Sequence, residues 1–252
     1  IEQGVEVLGI QPEDPIEVMG VNDRIQLAEL EGLLRQRATR QLMREGATLV
    51  RPESIEIQGT LEIGADVVIG PNVIFQGNVR LGNDVVIDAN SILIDSEIAA
   101  GARIRPFSHL EGAVVGEGAV IGPYARLREG SKIGAGARIG NFVETKNIQM
   151  GAGSKANHLT YLGDTRLGEG VNVGAGTITC NYDGKNKHLT EIGDDAFIGS
   201  NSALVAPVVV GRGATVAAGS VVTRDVADNE LCIVRPAQRS VSGWKRPDQK
   251  QD

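Results

Sequence analysis

The sequence predicts a mainly β protein in which short strands wind into a three-sided parallel solenoid behind one long helix. Apolar residues recur every six positions through much of the 252-residue chain, and its 33 glycines are about twice ordinary usage. Only 3% of residues are aromatic, so aliphatic side chains must fill the core. Six helical steps of about 100° end on a different face, whereas a short strand plus a tight turn keeps the stripe on one side.

The predicted helix precedes the repeat and spans about 23–45. Asn22 and Asp23 can cap its start, and Gly46 ends it. Its apolar residues lie mostly at helical spacing: Ile25, Leu27, Leu30, Leu33, Leu34, Leu42 and Met43. At 1.5 Å per residue such a helix is about 34 Å long, which suits a strut between domains.

The six-residue stripe extends from about 57 to 228. Its first run is unbroken: Ile57, Ile63, Ile69, Phe75, Leu81, Ile87 and Leu93. After five-residue steps it continues through Ile98, Ile104, Leu110, Val115, Ile121, Leu127, Ile133 and Ile139. The last run is Ile192, Ile198, Leu204, Val210, Val216 and Val222. Three sides of six residues give about nine coils that stack roughly 4.8 Å apart. The period does not reveal handedness, although parallel crossovers are usually right-handed.

One interruption of the stripe, 180–188, must leave the solenoid. It contains Asp183-Gly184, a turn signal, together with asparagine, tyrosine and lysine residues. Polar excursions from a rigid scaffold often carry binding residues, so we expect function here over a tolerated insertion.

Composition excludes several classes of protein. The formal net charge is −7 and no long basic run occurs, which argues against nucleic acid or an anionic membrane as the partner. No apolar run approaches a membrane span. Two cysteines, Cys180 and Cys232, are too few for a disulfide framework, so we expect the cytoplasm. Because the chain starts at Ile1 without a leader, we also expect it to be a fragment.

Three histidines are candidate bases or ligands. His109 and His188 favour surface roles, whereas His158 lies in a polar stretch where the stripe is unclear. His158 suits either a general base or a hydrogen-bonded structural residue. The spacing of the three gives a metal site little support. Arg128, Lys146 and Lys187 lie near irregularities of the repeat and are candidate anion ligands, although isolated basic residues usually only face solvent.

Four segments resemble the GlmU family of bifunctional bacterial enzymes. They are 121–128 (IGPYARLR), 140–146 (GNFVETK), 158–164 (HLTYLGD) and 174–184 (GAGTITCNYDG). Gly20-Val21-Asn22-Asp23-Arg24 resembles the end of that family's uridylyltransferase domain. The resemblance implies that 1–24 is a remnant of this domain, 25–45 a helical linker, and 46–252 a left-handed parallel β-helix acetyltransferase domain with a C-terminal tail.

The resemblance also implies an activity and an assembly. The family transfers an acetyl group from acetyl-CoA to the amine of glucosamine 1-phosphate, at sites between the subunits of a homotrimer. The product leads to UDP-N-acetylglucosamine, and thus to peptidoglycan and lipopolysaccharide. We expect small-molecule substrates, with neither nucleic acid nor membrane as a partner.

Individual roles follow only where the residues match. His158 matches the proton acceptor, whose neutral imidazole can take a proton from the amine. The positions that match sugar-phosphate contacts are Arg128, Lys146, Tyr161, Asn172 and Lys187. Glu144 would orient the amine or His158, or else is a plain surface residue. The positions that match acetyl-CoA contacts are Ala175, Asn181, Tyr182, Ser200, Ala218 and Arg235.

Asn22 matches a residue that helps to hold Mg²⁺ in the uridylyltransferase site of the family. Its partners belong mostly to sequence that this chain lacks. We therefore expect uridylyl transfer, and a need for Mg²⁺, only in the full-length protein.

Two other readings stay open at the level of sequence. One is a different hexapeptide acyltransferase acting on serine, another amino sugar or a fatty-acyl carrier; the cations and the 180–188 segment favour a phosphorylated amino sugar. The other is a non-catalytic prism that binds ice or a surface. Such prisms present a regular outward row of one residue type, which this chain does not.

Overall fold

The computed structural model describes residues 8–244. One α-helix, α1, spans Arg24–Arg44, and the Asp23 side chain caps it by accepting from the backbone N–H groups of Ile25 and Gln26. Short 3₁₀ helices cover Pro15–Val18 and Pro52–Ser54. Of the helix residues, only Thr39 and Leu42 are buried, so α1 leaves most of its apolar side chains exposed. Among the described residues, no helix combines the length and apolarity needed to cross a membrane.

Within residues 8–244, twenty-six short strands follow the helix. In chain order they are β1 Thr48–Leu49, β2 Glu56–Ile63, β3 Val68–Ile69, β4 Ile74–Leu81, β5 Val86–Ile87, β6 Ile92–Ile94, β7 Glu97–Ile98, β8 Arg103–Ile104, β9 His109–Glu111, β10 Val114–Val115, β11 Val120–Ile121, β12 Arg126–Leu127, β13 Lys132–Ile133, β14 Arg138–Asn141, β15 Glu144–Met150, β16 Lys155–His158, β17 Tyr161–Leu167, β18 Asn172–Val173, β19 Ile178–Cys180, β20 Thr190–Ile192, β21 Phe197–Ile198, β22 Ala203–Val205, β23 Val208–Val210, β24 Thr215–Val216, β25 Val221–Val222 and β26 Leu231–Cys232.

These strands form the three faces of a parallel solenoid, as the six-residue stripe predicts. The first face is an 11-stranded sheet from β1 to β26, running through β8, β14, β18 and β21. The second face includes β6, β9, β12, β19 and β22, and the third includes β7, β10, β13, β20 and β23. The long strands β2, β4, β15 and β17 continue from the second face onto the third, which joins them into one 15-stranded sheet.

The register between most neighbouring coils is 18 or 17 residues. Gln76 bonds Gln58, 18 positions earlier, whereas His158 bonds Asn141, 17 positions earlier. The five-residue steps in the stripe account for the shorter coils. The 11 strands of the first face mark about ten turns, not the predicted nine, because β1 and β26 lie outside the apolar stripe.

The core is the stack of inward side chains that the stripe predicts. Ile69, Ile87, Ile104 and Ile121 follow one another up the first face, each with no exposed surface. Burial of aliphatic side chains in register with those of neighbouring coils supplies the main stabilisation of such a column.

One corner of the prism, between the first and second faces, holds a column of residues with left-handed backbone. The column is Asn72, Asn90, Phe107, Tyr124, Phe142, Leu159, Gly176, Asn201 and Gly219, with φ between 49° and 75°. Asparagine and glycine tolerate this conformation, whereas bulky residues pay about 1–2 kcal/mol each for it. We call Phe107, Tyr124, Phe142 and Leu159 the aromatic corner. Its rings stack at 4.9 and 5.4 Å, and all four side chains are exposed.

Candidate active site

Four predicted site residues lie outward on the second face, on adjacent coils. Glu144 on β15 pairs in register with Tyr161 on β17, and Lys146 pairs with Gly163. The backbone of Arg128 donates to Thr145, which lies between Glu144 and Lys146. Because alternate residues of a strand face the same side, these polar side chains point outward while their neighbours fill the core.

The predicted anion ligands come together here. Lys187, Arg128 and Lys146 are close enough that the positive charge of Lys187, and then that of Arg128, holds the pKa of Lys146 below its usual value. Asp164 acts on Lys146 in the opposite direction. Three cations at one point of an acidic protein form a suitable place for a phosphate.

Glu144 contacts one of the clustered cations. It forms an ion pair of 2.9 Å with Arg128, and both side chains are about one-third exposed. The described hydrogen bonds of His158 include none to Glu144. The carboxylate thus orients the guanidinium of Arg128.

His158 ends strand β16 at the corner between the first and second faces. Its Nδ1 lies 2.8 Å from Oδ1 of Asn141, the residue beside it on the previous coil. An amide oxygen only accepts, so Nδ1 carries the hydrogen and Nε2 keeps its lone pair. The imidazole is exposed, and its free nitrogen is suited to take a proton.

Residues 181–188 form a tight hairpin outside the prism. Asn181 accepts from the backbone of His188, and Tyr182 bridges Lys187 in antiparallel fashion. The Asp183 side chain accepts from the backbone N–H groups of Lys185 and Asn186 and lies 2.7 Å from His188 Nε2. The hydrogen bond from the Asn186 N–H lowers the pKa of Asp183 most, and the contact with His188 lowers it next, so this pKa is strongly depressed. The 181–188 hairpin is therefore an ordered element.

Three predicted acetyl-CoA positions stack above His158 along the same corner. Asn201 donates its backbone N–H to Ala175, and Gly219 donates to Ser200, which aligns Ala175, Ser200 and Ala218. Arg235 in the C-terminal segment returns to this column, where its Nη1 donates to the Ala218 carbonyl at 2.6 Å. The side chains in this column are small, and the Arg235 cation lies at its upper end.

Two predicted residues lie apart from these groups. Asn172 on β18 faces outward on the first face, between Lys155 and Phe197. Asn22 precedes α1 and bonds Gln26 through its backbone and side-chain nitrogens. Within residues 8–244, no group of three His, Cys, Asp or Glu side chains is placed to hold a metal ion.

Buried hydroxyl groups hold the site's backbone from inside the prism. Thr160 donates to the His158 carbonyl at 2.7 Å, and Thr179 accepts from Gly163 N–H at 2.8 Å. Ser131 and Thr145 bond each other at 2.9 Å behind Arg128. In these coils threonine and serine replace many of the aliphatic residues used elsewhere in the core.

Sequence reasoning did not assign roles to Asn141 and Asp164. Both occur inside the segments quoted for the resemblance, but neither belongs to a local pattern that marks a function. Their partners, His158 and Asn181, lie 17 residues away. A search for polar residues one coil apart would have found both pairs.

The comparisons with known families agree with the repeat. The family described as "Bacterial transferase hexapeptide (six repeats)" matches residues 61–95 and 112–147. The "Hexapeptide repeat of succinyl-transferase" matches residues 190–224. Fold and repeat together define a hexapeptide-repeat transferase, and they support the left-handed winding that the resemblance implies.

Curated relatives identify the family within this class. The bifunctional protein GlmU of Marinobacter nauticus is 54% identical over 247 residues, which cover 98% of this chain and 54% of that protein. Those of Acinetobacter baylyi and Idiomarina loihiensis are 53% and 54% identical. The chain belongs to the GlmU family and fits its C-terminal acetyltransferase part. It spans about half the length of the relatives it matches.

Among solved structures, a UDP-N-acetylglucosamine acyltransferase from Campylobacter jejuni has the same fold. The match has a TM-score of 0.50 at 22% identity and covers 63% of this chain and 67% of that one.

Proposed function

We propose that this chain transfers an acetyl group from acetyl-CoA to the amine of glucosamine 1-phosphate. The observation that carries the proposal is the pairing of His158 with Asn141 at 2.8 Å, on coils that neighbour those of a cluster of three cations. The product, N-acetylglucosamine 1-phosphate, would supply UDP-N-acetylglucosamine for peptidoglycan and lipopolysaccharide.

His158 acts as the general base in this proposal. Its Nε2 takes a proton from the sugar amine as the amine nitrogen attacks the thioester carbonyl carbon. The new C–N bond forms, the C–S bond breaks, and coenzyme A leaves as the thiol after it receives the proton that His158 took from the amine. Asn141 keeps the imidazole in the tautomer with its lone pair on Nε2.

The second face would hold the sugar phosphate. Arg128, Lys146 and Lys187 supply positive charge for the phosphate, and Tyr161 supplies a hydroxyl. Glu144 holds Arg128 at 2.9 Å, which orients its remaining donors. A serine or an uncharged amino sugar would leave this charge unused.

The corner above His158 would hold acetyl-CoA. Ala175, Ser200 and Ala218 leave room for the extended thioester arm, and Arg235 offers a cation to its phosphates. Asn181 and Tyr182 of the hairpin would lie near the acetyl group.

We infer that the chain works as a homotrimer with sites between subunits. Two features support this assembly. Asn172 faces outward from the first face, whereas Arg128 and Lys146 face outward from the second, so one small substrate reaches both sets only across two chains. The exposed aromatic corner lies beside His158 and provides an apolar contact for a second copy.

Replacement of His158 by alanine tests the assigned base. We expect kcat to fall about 10²–10⁴-fold, the usual contribution of general base catalysis, while assembly is retained. The rate of acetyl transfer is measured from the release of free thiol. His109→Ala on the second face is the matched control and should stay within a few-fold of the parent. Near-normal turnover by His158→Ala would reject the role of His158.

We propose uridylyl transfer and its Mg²⁺ only for the full-length protein. Asn22 supplies one amide oxygen, and the described residues place no carboxylate cluster beside it. The residues present therefore do not form a magnesium site by themselves.

A further inference from the structure

Asp164 connects two neighbouring coils to the base of the 181–188 hairpin. Its Oδ1 accepts from Nδ2 of Asn147 at 2.6 Å, and its Oδ2 accepts from Nδ2 of Asn181 at 2.5 Å. Asp164 has a left-handed backbone with φ of 45°, which aspartate tolerates better than most residues. Both carboxylate oxygens are thus engaged, one by the coil below and one by the hairpin.

The chemistry of the carboxylate decides which way the Asn181 amide faces. An ionised carboxylate only accepts hydrogen bonds, so Asn181 must turn its NH₂ group toward Asp164. Its Oδ1 then faces away from Asp164, as an acceptor. Asn181 is only 8% exposed, and its backbone carbonyl accepts from His188, so the amide is held at both ends.

The surroundings leave little freedom for this arrangement. A Cβ on Gly163 would collide with the Tyr161 hydroxyl and would lie 2.8 Å from Nδ2 of Asn181. Tyr161 and Asn181 therefore close over the bare backbone of Gly163. Lys146, in register with Gly163 on the coil below, has Asp164 as its carboxylate neighbour.

We propose that Asp164 is a positioning residue that anchors the hairpin and makes Asn181 present an acceptor oxygen to a nitrogen donor of the bound substrates. This inference rests on the function proposed above. Asp164 touches no reacting atom itself. It acts through Asn181 and, by fixing the base of the hairpin, through Tyr182 and Lys187.

The first test is Asp164→Asn. The new amide can accept from Asn147 only by turning its NH₂ toward that of Asn181, so Asn181 must flip or lose its bond. We expect kcat/KM for acetyl transfer to fall about 10- to 100-fold, as for an unsatisfied buried donor. Asp95→Asn is the matched control, because Asp95 has the same left-handed backbone, with φ of 44°, and accepts from Asn78 N–H at 2.9 Å.

The second test exchanges the two groups. In Asp164→Asn/Asn181→Asp, the asparagine at 164 accepts from Asn147 and donates to the aspartate at 181, which again offers an acceptor to the site. We expect this double variant to recover most of the lost kcat/KM, whereas Asn181→Asp alone places two carboxylates together and stays impaired. If the role of Asp164 were purely structural, the double variant would recover the thermal midpoint but not kcat/KM.

The outcomes separate the two proposals. Turnover by the parent chain with Asp164→Asn no worse than Asp95→Asn would overturn the role of Asp164. A folded double variant whose kcat/KM is no higher than that of Asp164→Asn would overturn it as well. If Asp164→Asn fails to fold, a folded double variant whose kcat/KM stays far below that of the parent chain would overturn it. Absence of acetyl transfer by the parent chain would instead reject the proposed function.

Discussion

At the scale of single residues, hydrogen bonds to side-chain amides determine which atoms the candidate site presents. Asn141 fixes the tautomer of His158, and Asp164 fixes the orientation of Asn181. Both are contacts between coils, so the site depends on the stacking register as much as on its own residues. An error of one residue in that register would face each polar side chain into the core.

The charge of Lys146 depends on pH in a way that can be tested. Repulsion from Lys187 and Arg128 lowers its pKa, so Lys146 loses its proton at a lower pH than an ordinary lysine. The free energy of unfolding is not reduced by this deprotonation. Between the lower pKa of the folded state and the higher pKa of the unfolded state, the unfolded chain binds more protons, so stability rises with pH. Binding of the proposed sugar phosphate is expected to weaken, because one of three cations becomes neutral.

We expect the dissociation constant of N-acetylglucosamine 1-phosphate to rise with pH already below the ordinary lysine pKa of about 10.4, because the pKa of Lys146 is lowered. The acetylated sugar is the right probe because it has no titrating amine. Lys146→Arg is the matched control, since a guanidinium stays charged over this range. Titration calorimetry across pH measures both; equal slopes in the two proteins would contradict the assignment to Lys146.

At the scale of the coil, buried hydroxyls behave in two different ways. Thr179 is 1% exposed and serves both the N–H and the carbonyl of Gly163. Thr190 is fully buried on β20, and its Oγ1 has no hydrogen-bond partner. The same residue type therefore stabilises one coil and carries an uncompensated polar atom in another.

Thr179→Val should lower the free energy of unfolding by about 1–3 kcal/mol, because Gly163 N–H is left unsatisfied. Thr190→Val should be neutral or should raise it, because the change removes a buried oxygen without a partner. Urea denaturation at equal m-values measures both. Similar losses in the two variants would show that hydroxyl bonding is not what distinguishes these positions.

The strands could be predicted from the sequence because one inward residue in six is a strong and regular signal. Ile121 and Leu127 lie in the core for that reason. The aromatic corner could not be predicted, because Phe107 and Tyr124 occupy turn positions where asparagine or glycine is typical. The contact of Asp164 with Asn181 needs the 17-residue offset, which becomes certain only when the coils are aligned.

At the scale of the whole molecule, the aromatic corner destabilises the isolated chain, because its backbone strain is not offset by burial of its rings. Phe107, Tyr124 and Phe142 each adopt left-handed backbone and each expose about half of the side chain. The same column on other coils is occupied by Asn72, Asn90 and Asn201, and asparagine adopts left-handed backbone with less strain. Contact with a second copy would offset the strain by burying the rings.

Exchange of the three aromatic residues for asparagine tests this explanation. Phe107→Asn/Tyr124→Asn/Phe142→Asn should leave the prism folded, since asparagine suits the column, but should dissociate the proposed trimer and abolish turnover. Val209→Asn is the control, because Val209 is 43% exposed on the third face, which holds no predicted site residue. Sedimentation velocity and circular dichroism report assembly and folding. An intact trimer in the triple variant would contradict the proposed contact.

The hairpin has a further consequence for how this scaffold can vary. Glu169 still bonds Asp194 although 25 residues separate them, so the coils before and after the hairpin pair as if it were absent. The length and composition of that excursion are thus independent of the pitch of the column. Substitutions and insertions there can therefore change the polar groups that the hairpin offers while the register of the surrounding coils is kept.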